Sequence, residues 1–350
     1  MKTHRLSRPA AWVLFVPALL LLAYPLRADS SRTQTFQLHQ GWNSVFVEVT
    51  PANQDPALVF GSTPITMVAT FFAVNRPVQF IQNPSAIGWN REGWGVWYAP
   101  SRPDSFLSSL HAINGNRAYL VYAQRDCTWT LTGSVAFQPL AWKNDSFNFV
   151  GFSMDPQGSP TFDQFFSGSK AHLPLRAYRL VNDQWTPITD PVRTAMRSGE
   201  ACWVYCKGAS DYQGPVSVAL PGGQTMDFSN TLDSWINFIN RSTNPLDIRI
   251  ERISSDLPLA YKIFGITKGS VGQVSVDLPA AYSLPALEAG ASTSFWLSLR
   301  RDKMTTPVQT GLIKITTDIG VQFWIPLKGT RPDLAGTATS QIRHANLTSH

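Results

Sequence analysis

The chain has 350 residues, enough for two or three domains at roughly 150 residues each. Only 15% of its residues are charged while 43% are hydrophobic, which excludes a disordered polyelectrolyte, a coiled coil and a hyper-charged nucleic-acid arm; 25 Pro, 23 Gly and 12 Trp favour short strands and turns. The formal charge of +6 falls to +2 once Lys2, Arg5, Arg8 and Arg27 of the N-terminal segment are set aside, and no stripe of basic residues remains to bind nucleic acid.

Lys2, Arg5 and Arg8 precede an apolar run from Ala10 to Leu22 that continues to Leu26, and Leu26-Arg27-Ala28 offers a small-residue cleavage site before Asp29. Residues 1–28 therefore read as a secretory signal peptide. The run is short for a membrane span and Pro17 lies inside it. The expected address is the periplasm, the cell surface or the medium, with membrane contact only through an uncleaved signal peptide.

Residues 36–135 read as a first β-rich module. Val45, Val47 and Val49 alternate with their neighbours, the period of a half-buried strand, and Pro51 ends it. Pro56 to Phe60 reads as a short proline-started helix and Phe106 to Ile113 as another, with Arg117 to Tyr122 and Thr128 to Leu131 as strands.

Residues 143–221 read as a second copy. Ungapped, Asn43 falls on Asn148, Val45 on Val150 and Pro51 on Pro156; Arg117 to Tyr122 falls on Glu200 to Tyr205. Trp97 and Pro103 have the spacing of Trp185 and Pro191, Pro160 to Phe166 takes the place of the first helix, and Val216 to Leu220 that of the last strand. One stretch has no counterpart. Between residues 75 and 97 the first copy carries Trp89, Asn90, Arg91, Glu92, Trp94 and Trp97, where the second has a short loop around Asn182-Asp183. An insertion that the shared core does not need is a candidate for function. Indole faces stack on sugar C–H groups while polar side chains hold hydroxyls, so Trp89, Asn90, Arg91, Trp94 and Trp97 are the candidate carbohydrate-binding residues. Trp42, Trp129, Trp185, Trp203, Trp296 and Trp324 read as packing.

From residue 224 to 330 the alternation is cleaner, as in Ile248 and Ile250, Val274 to Leu278, Phe295 to Leu299 and Val321 to Ile325. Six or seven such strands suit an antiparallel immunoglobulin-like sandwich without the Cys-Trp-Cys signature of antibody domains. The segment Trp235 to Ser242, the loop Leu287-Glu288-Ala289-Gly290 and the ending Ile325-Pro326-Leu327-Lys328-Gly329 resemble the Ig-like domains of the Hydin and abnormal-spindle class. Gly41-Trp42-Asn43 with Ala118-Tyr119-Leu120-Val121 likewise resembles a repeat of exported bacterial proteins. These resemblances imply scaffolding or adhesion and bring no catalytic residues. Residues 331–350 read as a disordered tail or a linker into a longer chain.

The fold class expected is thus mainly β: two duplicated small β-rich modules with short helices, then an Ig-like sandwich. No nucleophile elbow, zinc-protease helix, phosphate loop or dinucleotide fingerprint occurs in the sequence. Cys202 and Cys206 lie too far apart along one strand to bridge. The expected function is a non-enzymatic structural or adhesive protein of the bacterial surface, with no cofactor or metal and with a glycan or another surface protein as partner. A carbohydrate-binding role of residues 75–97 is the alternative.

Overall fold

Every other side chain along Gly41–Val47 faces the same way, so Trp42 and Phe46 point to one side of this strand and Val45 and Val47 to the other; all four are buried. A strand buried on both faces needs a layer on each. The computed structural model describes residues 30–73, 83–86, 88–89, 91–254, 256–267 and 270–332. The expected signal peptide, all of residues 75–82, Asn90 and the tail from residue 333 lie outside the described residues.

The first unit comprises β1 (Ser31–Leu38), β2 (Gly41–Val47), β3 (Val49–Pro51), helix α1 (Pro56–Phe60), β4 (Ile65–Phe71), β5 (Trp94–Tyr98), β6 (Arg117–Ala123) and β7 (Cys127–Val135). Its strands form an antiparallel sheet ordered β2-β6-β4-β5 and a smaller one ordered β1-β7-β3. The chain changes sheet at Glu48, between β2 and β3. Val45, Val47, Phe60, Trp97, Tyr119 and Trp129 belong to the core between the layers. Asp55 caps α1 by accepting from the Ala57 amide at 2.9 Å, and Pro56 opens it.

The second unit has β8 (Ser146–Gly151), helix α2 (Phe162–Phe166), β9 (Ala177–Val181), β10 (Gln184–Pro187) and β11 (Ala201–Cys206). Its sheet runs β8-β11-β9-β10, strand for strand the order of β2-β6-β4-β5. Val45 lies opposite Tyr119 on β6, and Val150 lies opposite Cys202 on β11. A reciprocal Thr161–Gln164 capping box starts α2, and Phe162, Phe165 and Phe166 are buried.

Asn43 and Asn148 explain why one residue type stands at both strand starts. Asn43 Oδ1 accepts from the His39 amide at 3.0 Å, while Nδ2 donates to the His39 and Gly41 carbonyls. Asn148 Oδ1 accepts from the Lys143 amide at 2.7 Å, and Nδ2 donates to the Lys143 and Ser146 carbonyls. Each side chain clasps the incoming loop and satisfies backbone groups that the ladder cannot reach.

The third unit is an Ig-like β-sandwich. Its strands are β12 (Val216–Ala219), β13 (Met226–Phe228), β14 (Asp233–Asn240), β15 (Ile248–Ser254), β16 (Leu259–Thr267), β17 (Ser270–Asp277), β18 (Ala281–Ser283), β19 (Ser292–Leu299), β20 (Val308–Thr317) and β21 (Gln322–Thr330). One sheet is ordered β12-β14-β19-β16-β17 and the other β13-β21-β20-β15-β18. Ile236, Phe238, Leu297, Ile313, Ile315 and Ile325 fill the space between them. Pairing is antiparallel except for β13 beside β21, which is parallel.

Several expectations need correction. The strands at Val45 and Val150 are not half-buried, because the two four-stranded sheets cover each other. Phe106 to Ile113 is not a helix; a single 3₁₀ turn spans Ser105–Leu107. The chain beyond it instead closes the edge of β5: the Ser109 and Leu110 amides donate to the Val96 carbonyl, and the hydroxyls of Ser108 and Ser109 accept from Tyr98 and Val96. Finally, β12 pairs with β14, so the strand read as the last of the second copy is part of the sandwich.

Candidate functional site

The faces of the two matching sheets that point away from their own cores carry aromatic side chains. Trp42, Met67, Val96, Tyr98 and Leu120 from the first unit meet Phe147, Trp185 and Trp203 from the second. Phe149 stacks on Trp203 at 5.0 Å between ring centroids, and Phe71 meets Trp203 edge-on at 5.4 Å. Backbone contacts pin the seam. The Phe46 amide donates to the Gly199 carbonyl at 2.7 Å, and Ser44 Oγ donates to the Ala201 carbonyl at 2.7 Å. Asn182 and Asp183 both have positive φ, as a tight hairpin turn requires, and that turn brings Asp183 Oδ1 to the Trp42 amide at 2.6 Å.

Two of the candidate sugar-binding residues belong to this seam. Trp89 and Trp94 are half-buried and meet edge to face at 5.2 Å; Trp89 also leans on Trp42 at 5.2 Å and Trp94 on Phe71 at 5.4 Å. Trp97 lies on the opposite face of β5, buried in the first unit's core against Phe60 at 5.4 Å. The three indoles therefore do not share one platform, since an odd number of residues separates opposite faces of a strand. Arg91 is exposed, and its amide and carbonyl shape the turn between Gly88 and Trp94. Asn90 lies outside the described residues.

A second feature lies where all three units meet. A cavity of about 330 Å³ has Phe46, Phe147, Phe149, Phe323 and Trp324 among its walls, with Arg32 and Glu48 at one side. The Glu48 carboxylate is only 5% exposed and lies 3.2 Å from the Arg32 guanidinium, which rests over the Trp324 ring at 4.3 Å from its centroid. Gln34 completes the corner: its Oε1 accepts from the Glu48 amide at 2.9 Å and its Nε2 donates to the Phe46 carbonyl at 2.8 Å. Burial pushes the Glu48 carboxyl above the usual carboxylate range, and the Arg32 charge opposes that shift. Both charges belong to the first unit, and the contact to the third is the Trp324 ring under the Arg32 cation.

A third feature is one the sequence reading assigned to packing. Trp296 stands on the outer face of the sandwich, 37% exposed, directly across the ladder from Trp235, which is 38% exposed. Their ring centroids are 4.8 Å apart. Strand alternation carried this information: Trp296 has the parity opposite to the buried Phe295 and Leu297, and Trp235 that opposite to the buried Ile236. Trp42, Trp129, Trp185 and Trp203 are buried as expected, and Trp324 is half-buried under Arg32. Among the described residues no group of three or more His, Cys, Asp or Glu is placed to hold a metal ion, and no helix is long and apolar enough to cross a membrane.

No protein-family model matches the sequence, and no curated protein aligns with it. Among solved structures, 33% of the chain is similar to 84% of the ASH/PapD-like domain 7 of human CEP192, at 13% identity and a TM-score of 0.20. Another 33% match covers 51% of the YadV chaperone at 9% identity and a TM-score of 0.23. A longer match, 79% of the chain to 70% of the secreted serine protease VesC from Vibrio cholerae, has 13% identity and a TM-score of 0.19. At these scores the likenesses fix neither a family nor a function.

Proposed function

We propose that this chain is a non-enzymatic, exported structural or adhesive protein of the bacterial surface, a stiff body of three interlocked β units. The observation that carries this reading is the insertion of one unit's hairpin into its neighbour. The hairpin tip between β20 and β21 enters the second unit: Val321 bridges Met154, the Gln322 amide donates to the Ser153 carbonyl at 3.0 Å, and the Asp155 amide donates to the Gly320 carbonyl at 2.8 Å. In the aligned copies Met154 takes the place of Val49, which pairs with β7 inside the first unit. The third unit thus provides the pairing that the second lacks, and β12 continues from the second unit into the sandwich. Units joined in this way transmit load across their junctions without the freedom of a linker.

The signal-peptide reading of residues 1–28 supports export. The test is to shave intact cells that make the protein with an external protease, alongside a substrate panel applied to the purified chain. Loss of the chain from unbroken cells and no turnover are expected. A chain retained in the cytoplasm, or turnover abolished by a single substitution, would overturn the reading.

A further inference from the structure

The outer face of the sheet β12-β14-β19-β16-β17 has an ordered composition around its tryptophan pair. Trp235 on β14 faces Trp296 on β19, and Lys262, one residue past the last β16–β19 pair at Tyr261 and Leu297, extends the row with its Nζ 6.0 Å from the Trp296 ring centroid. Two residues along in one direction the next outward pair is Asp233 and Ser298; two residues in the other it is Asn237 and Ser294. The aromatic row is therefore bracketed on both sides by hydrogen-bonding rows. Ser298 Oγ donates to Asp233 Oδ1 at 2.6 Å, Lys262 Nζ donates to Asp233 Oδ2 at 2.6 Å, and Ser294 Oγ donates to Asn237 Oδ1 at 3.2 Å. These bonds hold the polar side chains upright beside the rings and leave the amide Nδ2 of Asn237 without a partner among the described residues.

Tryptophan is among the residues most buried on average, and two adjacent indoles left in water on a sheet face carry a cost in solubility. An occupant that repays it must combine flat apolar faces with a rim of hydroxyls. Charge narrows the choice further. Asp233 and Lys262 neutralise each other, so the bracketed face has no net charge with which to attract a nucleic acid or an acidic polymer.

We propose that Trp235 and Trp296 form a binding platform for a neutral, β-linked polysaccharide chain, with Asn237, Ser294, Asp233 and Lys262 holding its hydroxyls. β-1,4-linked gluco-configured pyranoses place their substituents equatorially. Both faces of each ring are then C–H surfaces that stack on an indole, and the hydroxyls point sideways to the flanking rows. The chain lies along the Lys262–Trp296–Trp235 row, across the strands. This proposal rests on the adhesive reading only for where such a glycan would be met, and its failure would leave the interlocked scaffold untouched.

The test is isothermal titration of the intact protein with cellohexaose and chitohexaose, wild type beside Trp235→Ala, Trp296→Ala and Trp94→Ala. Saturable binding of at least one hexasaccharide is expected, weakened at least tenfold by Trp235→Ala and by Trp296→Ala and unchanged by Trp94→Ala. Trp235→Phe and Trp296→Tyr, which keep a stacking ring, should retain part of the affinity, and thermal melts establish that each variant is folded. No binding of either sugar overturns the proposal, as does binding that survives loss of both indoles. Sedimentation showing wild-type self-association that the double alanine variant abolishes would also overturn it, because a second copy would then be the occupant.

Discussion

His172 is held in an aromatic cage of the second unit. Its ring lies 4.1 Å from Trp142 and 5.2 Å from Phe166, Nδ1 shares a 2.6 Å hydrogen bond with Ser169 Oγ, and Nε2 is buried without a partner. Burial lowers its pKa to about 4 from the ordinary 6.5, because the imidazolium would lose its water and gain no counter-charge. Between these two values the unfolded chain binds the proton and the native one does not, so stability falls as the pH drops from 6.5 towards 4. The loss is on the order of 3 kcal/mol. Denaturant midpoints at pH 7 and pH 4.5 should show it, and His172→Phe should shrink the difference. At the three-unit corner the expected response is different. Arg32→Ala leaves the Glu48 carboxylate buried and unpaired, a loss of about 3–5 kcal/mol at neutral pH. Because protonation removes that unpaired charge, the variant's deficit should narrow in acid, which urea melts of wild type and variant across pH would reveal. The three cysteines are free, and burial raises the thiol pKa of each. Cys202 and Cys206 are buried while Cys127 is partly exposed, so a thiol reagent should label native protein at Cys127 first and the other two only on unfolding.

At the level of elements, the approach of β8 to β2 depends on a missing side chain. A Cβ built on Gly151 would stand 2.2 Å from Phe46 Cβ and Cγ, inside any real contact, so the two strands could not keep their distance. Gly151→Ala should cost about 1–3 kcal/mol, measured by thermal melting, and Phe46→Ala in the same chain should recover part of that loss. The asparagine clasps give the parallel test on the strands of matching order. Asn43→Ala and Asn148→Ala each orphan buried backbone groups at a strand entry, and each should destabilise by about 1–3 kcal/mol. Equal effects in the two units would agree with the equivalent hydrogen bonding of the two side chains. The period of two identified the strands at Val45 and Val150 and the sandwich strands, but periodicity along one segment cannot say what covers its other face. Phe46 and Phe149 are hydrophobic at the positions where a half-buried strand would be polar, and that was the available sign of a second layer. The segment at Phe106 departs from the expected helix for a related reason: Ser108 and Ser109 bond to the edge of the preceding strand β5, a pairing that local propensity does not contain.

For the whole molecule, insertion of the β20–β21 tip makes the second unit dependent on the third. Truncation after residue 223 should remove Val321 from the second unit's core, expose Phe152 and Met154, and yield a chain with hydrophobic-dye binding and no cooperative melt. The full chain should melt in one transition followed alike by near- and far-ultraviolet circular dichroism.

Sequence alone determined the strand content, the matching order of residues in two stretches, the two proline-started helical turns that end at Phe60 and Phe166, and the sandwich, because these follow from side-chain parity and proline chemistry over a few residues. Tertiary structure decided which faces meet. Trp97 went to a core and Trp89 and Trp94 to a seam, although all three are the same side chain within one short stretch of chain. The reason is physical: the hydrophobic effect specifies that an indole gains from leaving water but not which neighbour receives it. That choice is made only when whole sheets compete for the same partner surface.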